Sequence, residues 1–233
     1  PTAQHLPLVR RAAACELPIL CEKPCGLTAA EARQAARVAT DAGVRLQVAY
    51  WRRFVTTLQH LQHAIADGRF GEVYSIACWQ WDEQPPASGF RATSGGIFID
   101  MGVHEFDQMR WLTGQEIVGL DAAVSTVAAD TVLPPDADSA QTLCRLSGGG
   151  TGIVSLGRRF QPGDAAWVQV FGTRNAEECR FLWPDDGDTV FMEALRLQAE
   201  DFAAGGGSGA TSADAIAALE AAERAGSVAF NRN

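Results

Sequence analysis

Apolar and polar positions follow two successive rhythms along this chain. From His5 to Ala14 apolar residues mix with arginines as in a helix, and Leu17-Pro18-Ile19-Leu20-Cys21 is a short apolar run typical of a buried strand. Thr28-Ala29-Ala30-Glu31 has the T-x-x-E spacing of a capping box and opens an Ala-rich helix predicted to reach Asp41. Gly43 closes that helix, and Val44 to Tyr50 alternates with a period of two. Helix, strand, helix, strand is the order of a parallel α/β sheet, whose strand-end turns face a ligand.

After Tyr50 the rhythm changes. A helix is predicted from about Phe54 to Ala66, stopping at Asp67-Gly68. Strands are predicted at Glu72–Trp81, Ile117–Ala128, Ala140–Leu146, Thr151–Arg158 and Trp167–Phe171. Ser147-Gly148-Gly149-Gly150 reads as a hairpin turn, and Asn175 in Gly172-Thr173-Arg174-Asn175 as a residue able to take the left-handed conformation. Strands joined by short turns imply a mainly antiparallel sheet. Ala-rich helices close the chain, the last opening near Thr211-Ser212, with a flexible Gly205–Gly209 loop before it. The expected architecture is therefore α/β over residues 1–50, followed by an α+β domain over 51–233 with an open, mostly antiparallel sheet and helices on one face.

Composition narrows the classes. With 47% hydrophobic residues among 233, the chain can build a sizeable core. A net charge of −9 with no run of Lys or Arg argues against a nucleic-acid partner, and no apolar stretch is long enough to span a membrane. Six cysteines are too few for a disulfide scaffold, and Cys15, Cys21 and Cys25 lack C-x-x-C pairing; they read as reduced thiols of a cytoplasmic protein. The chain begins with Pro1, so it is expected to start inside a longer reading frame.

The densest chemistry lies in Gly95-Gly96-Ile97-Phe98-Ile99-Asp100-Met101-Gly102-Val103-His104-Glu105-Phe106-Asp107. On an α-helix Asp100 and His104, four apart, share a face, which Asp107 and Trp111 continue. A carboxylate beside an imidazole holds one tautomer and makes it a better proton acceptor. The bland alternative is His104 bonded to a backbone carbonyl above a solvated Asp100. A metal site of Asp100, His104 and Asp107 would need a further ligand, and His5, His60 and His63 lie in other segments; none is assigned. Pro24 biases Lys23 towards an extended conformation, aiming its ammonium, although a loop lysine is more often solvated. Arg52 and Arg53 follow a strand at its C-terminal end, as a ligand-binding or a salt-bridged pair. In Trp79-Gln80-Trp81-Asp82 the tryptophans suit core packing or sugar stacking, and Asp82 is a candidate for binding substrate hydroxyls.

Pro1-Thr2 with His5, Cys21-Glu22-Lys23-Pro24, Arg52-Arg53-Phe54, Gly68-Arg69-Phe70-Gly71-Glu72-Val73 and the Gly95–Asp107 segment occur in this order in one family. Over essentially its whole length the chain resembles the glucose–fructose oxidoreductase, inositol dehydrogenase and rhizopine catabolism (Gfo/Idh/MocA) family, most of all its inositol 2-dehydrogenases. The resemblance implies that residues 1–50 are the C-terminal part of a Rossmann domain, with the glycine loop and the ribose-binding acid upstream of Pro1. It also implies an NAD(P)-dependent oxidation of a secondary hydroxyl of inositol, another cyclitol or a sugar, NAD being favoured over NADP. His104 is then the base, Asp100 its orienter and a substrate ligand, and Lys23 part of the proton relay. Glu22, Lys23 and Pro24 are expected to line the nicotinamide pocket with Thr2, His5, Trp51 and Arg52. Lys23, Arg52, Asp82, Asp100 and His104 are expected to meet substrate. Ala49 stands where the family usually has Gly, and Glu105 where Asp is commoner. The family's sheets commonly pair, so a homodimer or homotetramer is expected. An NAD-assisted glycosidase of the same fold and a non-catalytic interaction or sensor module are the alternatives, and this chain alone is expected to be inactive.

Overall fold

The computed structural model describes residues 1–127 and 136–231. After a 3-10 turn at Thr2–Gln4, helix α1 (His5–Ala13) leads to strand β1 (Ile19–Glu22), helix α2 (Ala29–Asp41) and strand β2 (Leu46–Ala49). Thr28 caps α2 by accepting from the Glu31 N–H at 3.1 Å, but the reciprocal arm differs from a capping box: the Glu31 carboxylate accepts from Leu27 N at 2.7 Å. β1 and β2 pair in parallel, as the helix–strand order predicts. A third strand that periodicity did not reveal, β9 (Ala210–Thr211), joins β2 antiparallel from the far end of the chain. Two residues leave no alternation to read.

A 3-10 turn at Trp51–Phe54 precedes helix α3 (Thr56–Ala66), which ends at Gly68 with φ +74°. Strands β3 (Val73–Trp81), β4 (Ile117–Ser125), β5 (Ser139–Leu146), β6 (Thr151–Gly157), β7 (Ala165–Gly172) and β8 (Ala176–Leu182) form one sheet in the order β4-β5-β6-β3-β7-β8. All neighbours are antiparallel except β3 and β6. The strand expected to reach Ala128 ends at Ser125, and Ala128 lies outside the described residues. β8 was not predicted: Ala176-Glu177-Glu178 is exposed and lacks an apolar alternation. Asn175 does not take the left-handed conformation; among described non-glycine residues only Glu16 has positive φ. The hairpin at Ser147–Gly150 stands, with Gly149 at φ +88°.

Between β3 and β4 lie a short helix α4 (Ser88–Arg91), a π-helical turn at Phe98–Gly102 and helix α5 (Val103–Thr113). Helix α6 (Gly187–Ala203) and helix α7 (Ser212–Phe230) close the chain, α7 under a complete capping box between Thr211 and Asp214. Helices α3, α5 and α7 cover one sheet face, and α7 also packs on α2, so the two sheets share one core. Inward residues such as Ile76, Cys78, Val154, Leu156 and Val168 are fully buried, whereas Leu143 and Ile153, paired across β5 and β6, are exposed on the other face.

Candidate active site

The C-terminal ends of β1 and β2, the π-helical turn before α5 and the ends of β3 and β6 converge on one region. At the end of β1 the Lys23–Pro24 peptide is cis and Pro24 is buried. The Pro24 carbonyl accepts from His5 Nδ1 at 2.8 Å, so His5, beside the turn that carries Thr2, holds the Lys23 loop from behind. The Cys21 thiol raises the His5 pKa, and the Pro24 carbonyl adds to it while burial opposes. Glu22 is exposed at the strand end.

Lys23 donates from Nζ to the Asp100 backbone carbonyl at 2.8 Å and lies 3.5 Å from Asp100 Oδ1. The other carboxylate oxygen, Oδ2, lies 3.1 Å from Arg158 Nη2. Both oxygens of Asp100 are thus occupied, and His104 Nδ1 finds no hydrogen-bond partner. The expected Asp100–His104 contact is not made. The physical reason is the backbone: Phe98–Gly102 is a π-helical turn, closed by i→i+5 bonds, so residues four apart no longer stack as on an α-helix. The two glycines before it serve geometry. Gly95 and Gly96 both have positive φ, +86° and +83°, which turns the chain into that helix.

His104 is 5% exposed, with the Tyr50 ring edge-on at a centroid distance of 5.7 Å and Trp51 at 6.3 Å. Burial, and then the positive charges of Lys23 and Arg52, hold its pKa well below the ordinary imidazole value. At neutral pH the ring is uncharged and able to accept a proton. Trp51 packs in turn on Phe181 and Phe191, at 6.3 Å and 5.0 Å.

Arg52 is not a surface residue. It is 3% exposed and donates to the Glu105 carboxylate, to Gln108 Oε1 at 3.2 Å and to Gln80 Oε1 at 2.7 Å. Burial raises the Glu105 pKa and Arg52 works against it. Arg53 grips Asp107 with two bonds, Nε–Oδ2 at 3.0 Å and Nη2–Oδ1 at 2.6 Å, and reaches Asp214 of α7 at 3.3 Å. Asp107 therefore ties α5 to α7 and does not share a site with Asp100. Among the described residues no three His, Cys, Asp or Glu side chains cluster as metal ligands.

A cavity of about 100 Å³ is lined by Trp51, Arg52, Gln80, Asp82, His104 and Asp164, with apolar walls from β7 and β8. Burial raises the Asp82 pKa, opposed by a hydrogen bond from Gln80 Nε2 at 3.1 Å. A wider cleft of about 610 Å³ shares Trp51, Asp164 and Leu182 with it. Trp79 stacks on Trp167 at 5.2 Å within the sheet, and Trp81 bonds Ser155, so both tryptophans serve packing.

The structure thus gathers Lys23, Arg52, Asp82, Asp100 and His104, with Glu22, Pro24, Trp51, Thr2 and His5 around or behind them. Gln80, Asp164 and Arg158 were not singled out from the sequence. For Arg158 a signal existed: it keeps the period of two set by Val154 and Leu156, one residue past the end of β6.

A profile of the GFO/IDH/MocA C-terminal domain matches residues 58–176. The rhizopine catabolism protein MocA of Rhizobium meliloti is 57% identical over 229 residues, covering 97% of this chain and 72% of that protein. An inositol 2-dehydrogenase of Rhizobium meliloti (strain 1021) is 33% identical over 177 residues; the match covers 76% of this chain but only 54% of the relative, about half its length. Among solved structures, a scyllo-inositol dehydrogenase of Lactobacillus casei with bound NAD(H) and scyllo-inositol superposes with a TM-score of 0.82 at 21% identity, covering 100% of this chain and 77% of that one.

Proposed function

The chain belongs to the GFO/IDH/MocA family, and from that premise we propose that it carries the substrate half of an NAD-dependent dehydrogenase acting on a secondary hydroxyl of inositol or a related cyclitol or sugar. The observation that carries the reading is an uncharged, buried His104 on a polar cavity, beside a Lys23 ammonium aimed by Asp100. The residues at the end of β1 fit the nicotinamide end of NAD: the Lys23 ammonium and the Glu22 carboxylate lie at a strand end beside Pro24, and Trp51 lies just past the end of the parallel neighbour β2. When bound there, the cofactor supplies the hydride acceptor. His104 takes the hydroxyl proton, Lys23 donates to the same oxygen and stabilises its developing negative charge, and Asp100 fixes Lys23. Arg52, Gln80, Asp82 and Asp164 offer donors and acceptors for the remaining hydroxyls of a polyol ring.

In this reading residues 1–50 are the C-terminal part of the nucleotide-binding domain, whose glycine loop lies on preceding chain, and 51–233 form the substrate and oligomerisation domain, with β9 returning to the first sheet. Six unpaired cysteines fit the reducing cytoplasm. No helix among the described residues is long and apolar enough to cross a membrane. A second copy of the chain is the partner, docking on the sheet face that exposes Leu143 at 55% and Ile153 at 40%.

The test is a full-length protein carrying this segment, assayed with inositols and sugars and with both NAD and NADP. Expected are stoichiometric formation of reduced nicotinamide and a loss of about 10²–10⁴-fold in kcat for His104→Ala. A His104→Ala enzyme at near wild-type rate would refute the base assignment, and glycoside cleavage without net cofactor reduction would refute the dehydrogenase.

A further inference from the structure

We propose that Arg158 is a positioning residue for the proposed reaction: it holds the Asp100 carboxylate onto Lys23 and away from His104. This rests on the dehydrogenase reading above. Arg158 follows β6 and is the largest fully buried side chain among the described residues. Its Nη2 bridges two carboxylates, at 3.1 Å from Asp100 Oδ2 and 3.3 Å from Asp136 Oδ1. Asp136 cannot yield, because its Oδ2 accepts from Arg91 Nε at 2.5 Å. The Arg158 N–H also donates to the Asp138 carbonyl at 2.9 Å, which pins the backbone. Nε and Nη1 meanwhile find no protein partner.

A fully buried guanidinium with two unpaired donors is costly, so its position calls for an explanation beyond cohesion. The explanation lies in what it does to Asp100. A carboxylate free to rotate could turn towards the imidazole four residues on. With Oδ2 held by Arg158, Oδ1 faces the Lys23 ammonium at 3.5 Å. The result separates two roles. Lys23 is anchored by the Asp100 backbone carbonyl at 2.8 Å and faces a clamped carboxylate, while His104 has no acidic partner and stays uncharged through burial. A lysine could do this only in part, because its ammonium sits on a flexible stem, whereas the guanidinium presents Nη2 to both carboxylates from a fixed plane. Arg158 is fully buried and its Nη2 is spent on two carboxylates, so it acts through Asp100.

The experiment uses the full-length enzyme with Arg158→Met, Arg158→Lys, Asp100→Asn and the Asp100→Asn/Arg158→Met double variant. Arg158→Met is expected to lower kcat by about 10–100-fold with KM for polyol and NAD within about twofold, and Arg158→Lys to recover part of the loss. In the Asp100→Asn background, adding Arg158→Met should cost less than about twofold more. Additive losses, or a raised KM at unchanged kcat, would overturn the assignment. If Arg158→Met does not fold, Arg158→Lys combined with Asp100→Asn decides by the same non-additivity. A crystal structure of Arg158→Met reads the geometry without turnover: the Asp100 carboxylate should swing away from Lys23, and an unmoved carboxylate refutes the proposal even if no polyol substrate is found.

Discussion

Removing the Glu105 carboxylate tests the least expected electrostatic feature of the site. Arg52 and Glu105 are 3% and 0% exposed, and the guanidinium reaches the cavity that holds His104. Glu105→Ala leaves Arg52 with two neutral acceptors, Gln80 Oε1 at 2.7 Å and Gln108 Oε1 at 3.2 Å. Breaking a buried pair by removing one partner costs about 3–5 kcal/mol, because a charge remains in a poorly solvated place. The surviving acceptors put this site at the lower end. For a chain of this length each kcal/mol moves Tm by about 2–4 °C, so a loss of about 3 kcal/mol should lower Tm by about 6–12 °C. Replacing both partners, as Arg52→Met/Glu105→Leu, should recover most of the loss, since no charge is then left behind. Burial raises the Glu105 pKa above the ordinary 4.5. The folded state therefore binds that proton more readily than the unfolded one, and its contribution is fully present below pH 4.5 and is lost as pH rises. Glu105→Gln should remove this dependence. Urea melts of the four proteins from acid to neutral pH supply the measurement. A Glu105→Ala cost below about 1 kcal/mol, or a double variant no better than the single one, would show that the pair is not buried as described.

Three further outcomes follow from other parts of the molecule. His104 has a pKa depressed below 6.5 by burial, so it contributes stability above that pH that is lost as pH falls; His104→Phe should flatten the stability profile by up to about 1.4 kcal/mol per pH unit below 6.5, and an unchanged slope would contradict its burial. Gly95 has φ +86°, and an added Cβ would lie 2.9 Å from Ile99 Cγ2, so Gly95→Ala should cost about 1–3 kcal/mol, whereas Gly89→Ala in α4 meets open space and should be neutral or stabilising; equal effects in urea melts would refute the strain argument. Of the six cysteines only Cys15 is exposed, so a thiol reagent should show one fast-reacting group that Cys15→Ser abolishes, and a fast phase surviving that change would place a second thiol at the surface.

Much of the architecture was legible in the residue order because it rests on local rules. Periodicity and caps located α1, α2, α3, α5 and α7 and five strands of the larger sheet to within a few residues. The motifs at Glu22-Lys23-Pro24 and Gly95–Asp107 pointed to the region where β1 and the start of α5 meet. Where local signal was thin, prediction failed. Exposed, acidic β8 lacks a buried alternation at its start, two-residue β9 is too short to show one, and Asn175 needs no left-handed turn because the chain closes there with a Gly172 N–H to Asn175 carbonyl bond at 2.8 Å.

The sequence by itself determined which groups could do chemistry here: an imidazole, a lysine ammonium and carboxylates on segments that a mixed α/β fold brings together. Only the tertiary structure decided who partners whom. Spacing paired Asp100 with His104, but one π-helical turn rotated them apart, and Arg158, 58 residues downstream, took the carboxylate. Asp107 likewise changed from a candidate ligand group to half of a buried ion pair with Arg53, and Arg52, on the cavity wall, took a buried partner in Glu105. Side-chain spacing is set within a helical turn, whereas a buried charge must find its counter-charge wherever the packed chain supplies one, and that choice is made only when the core closes.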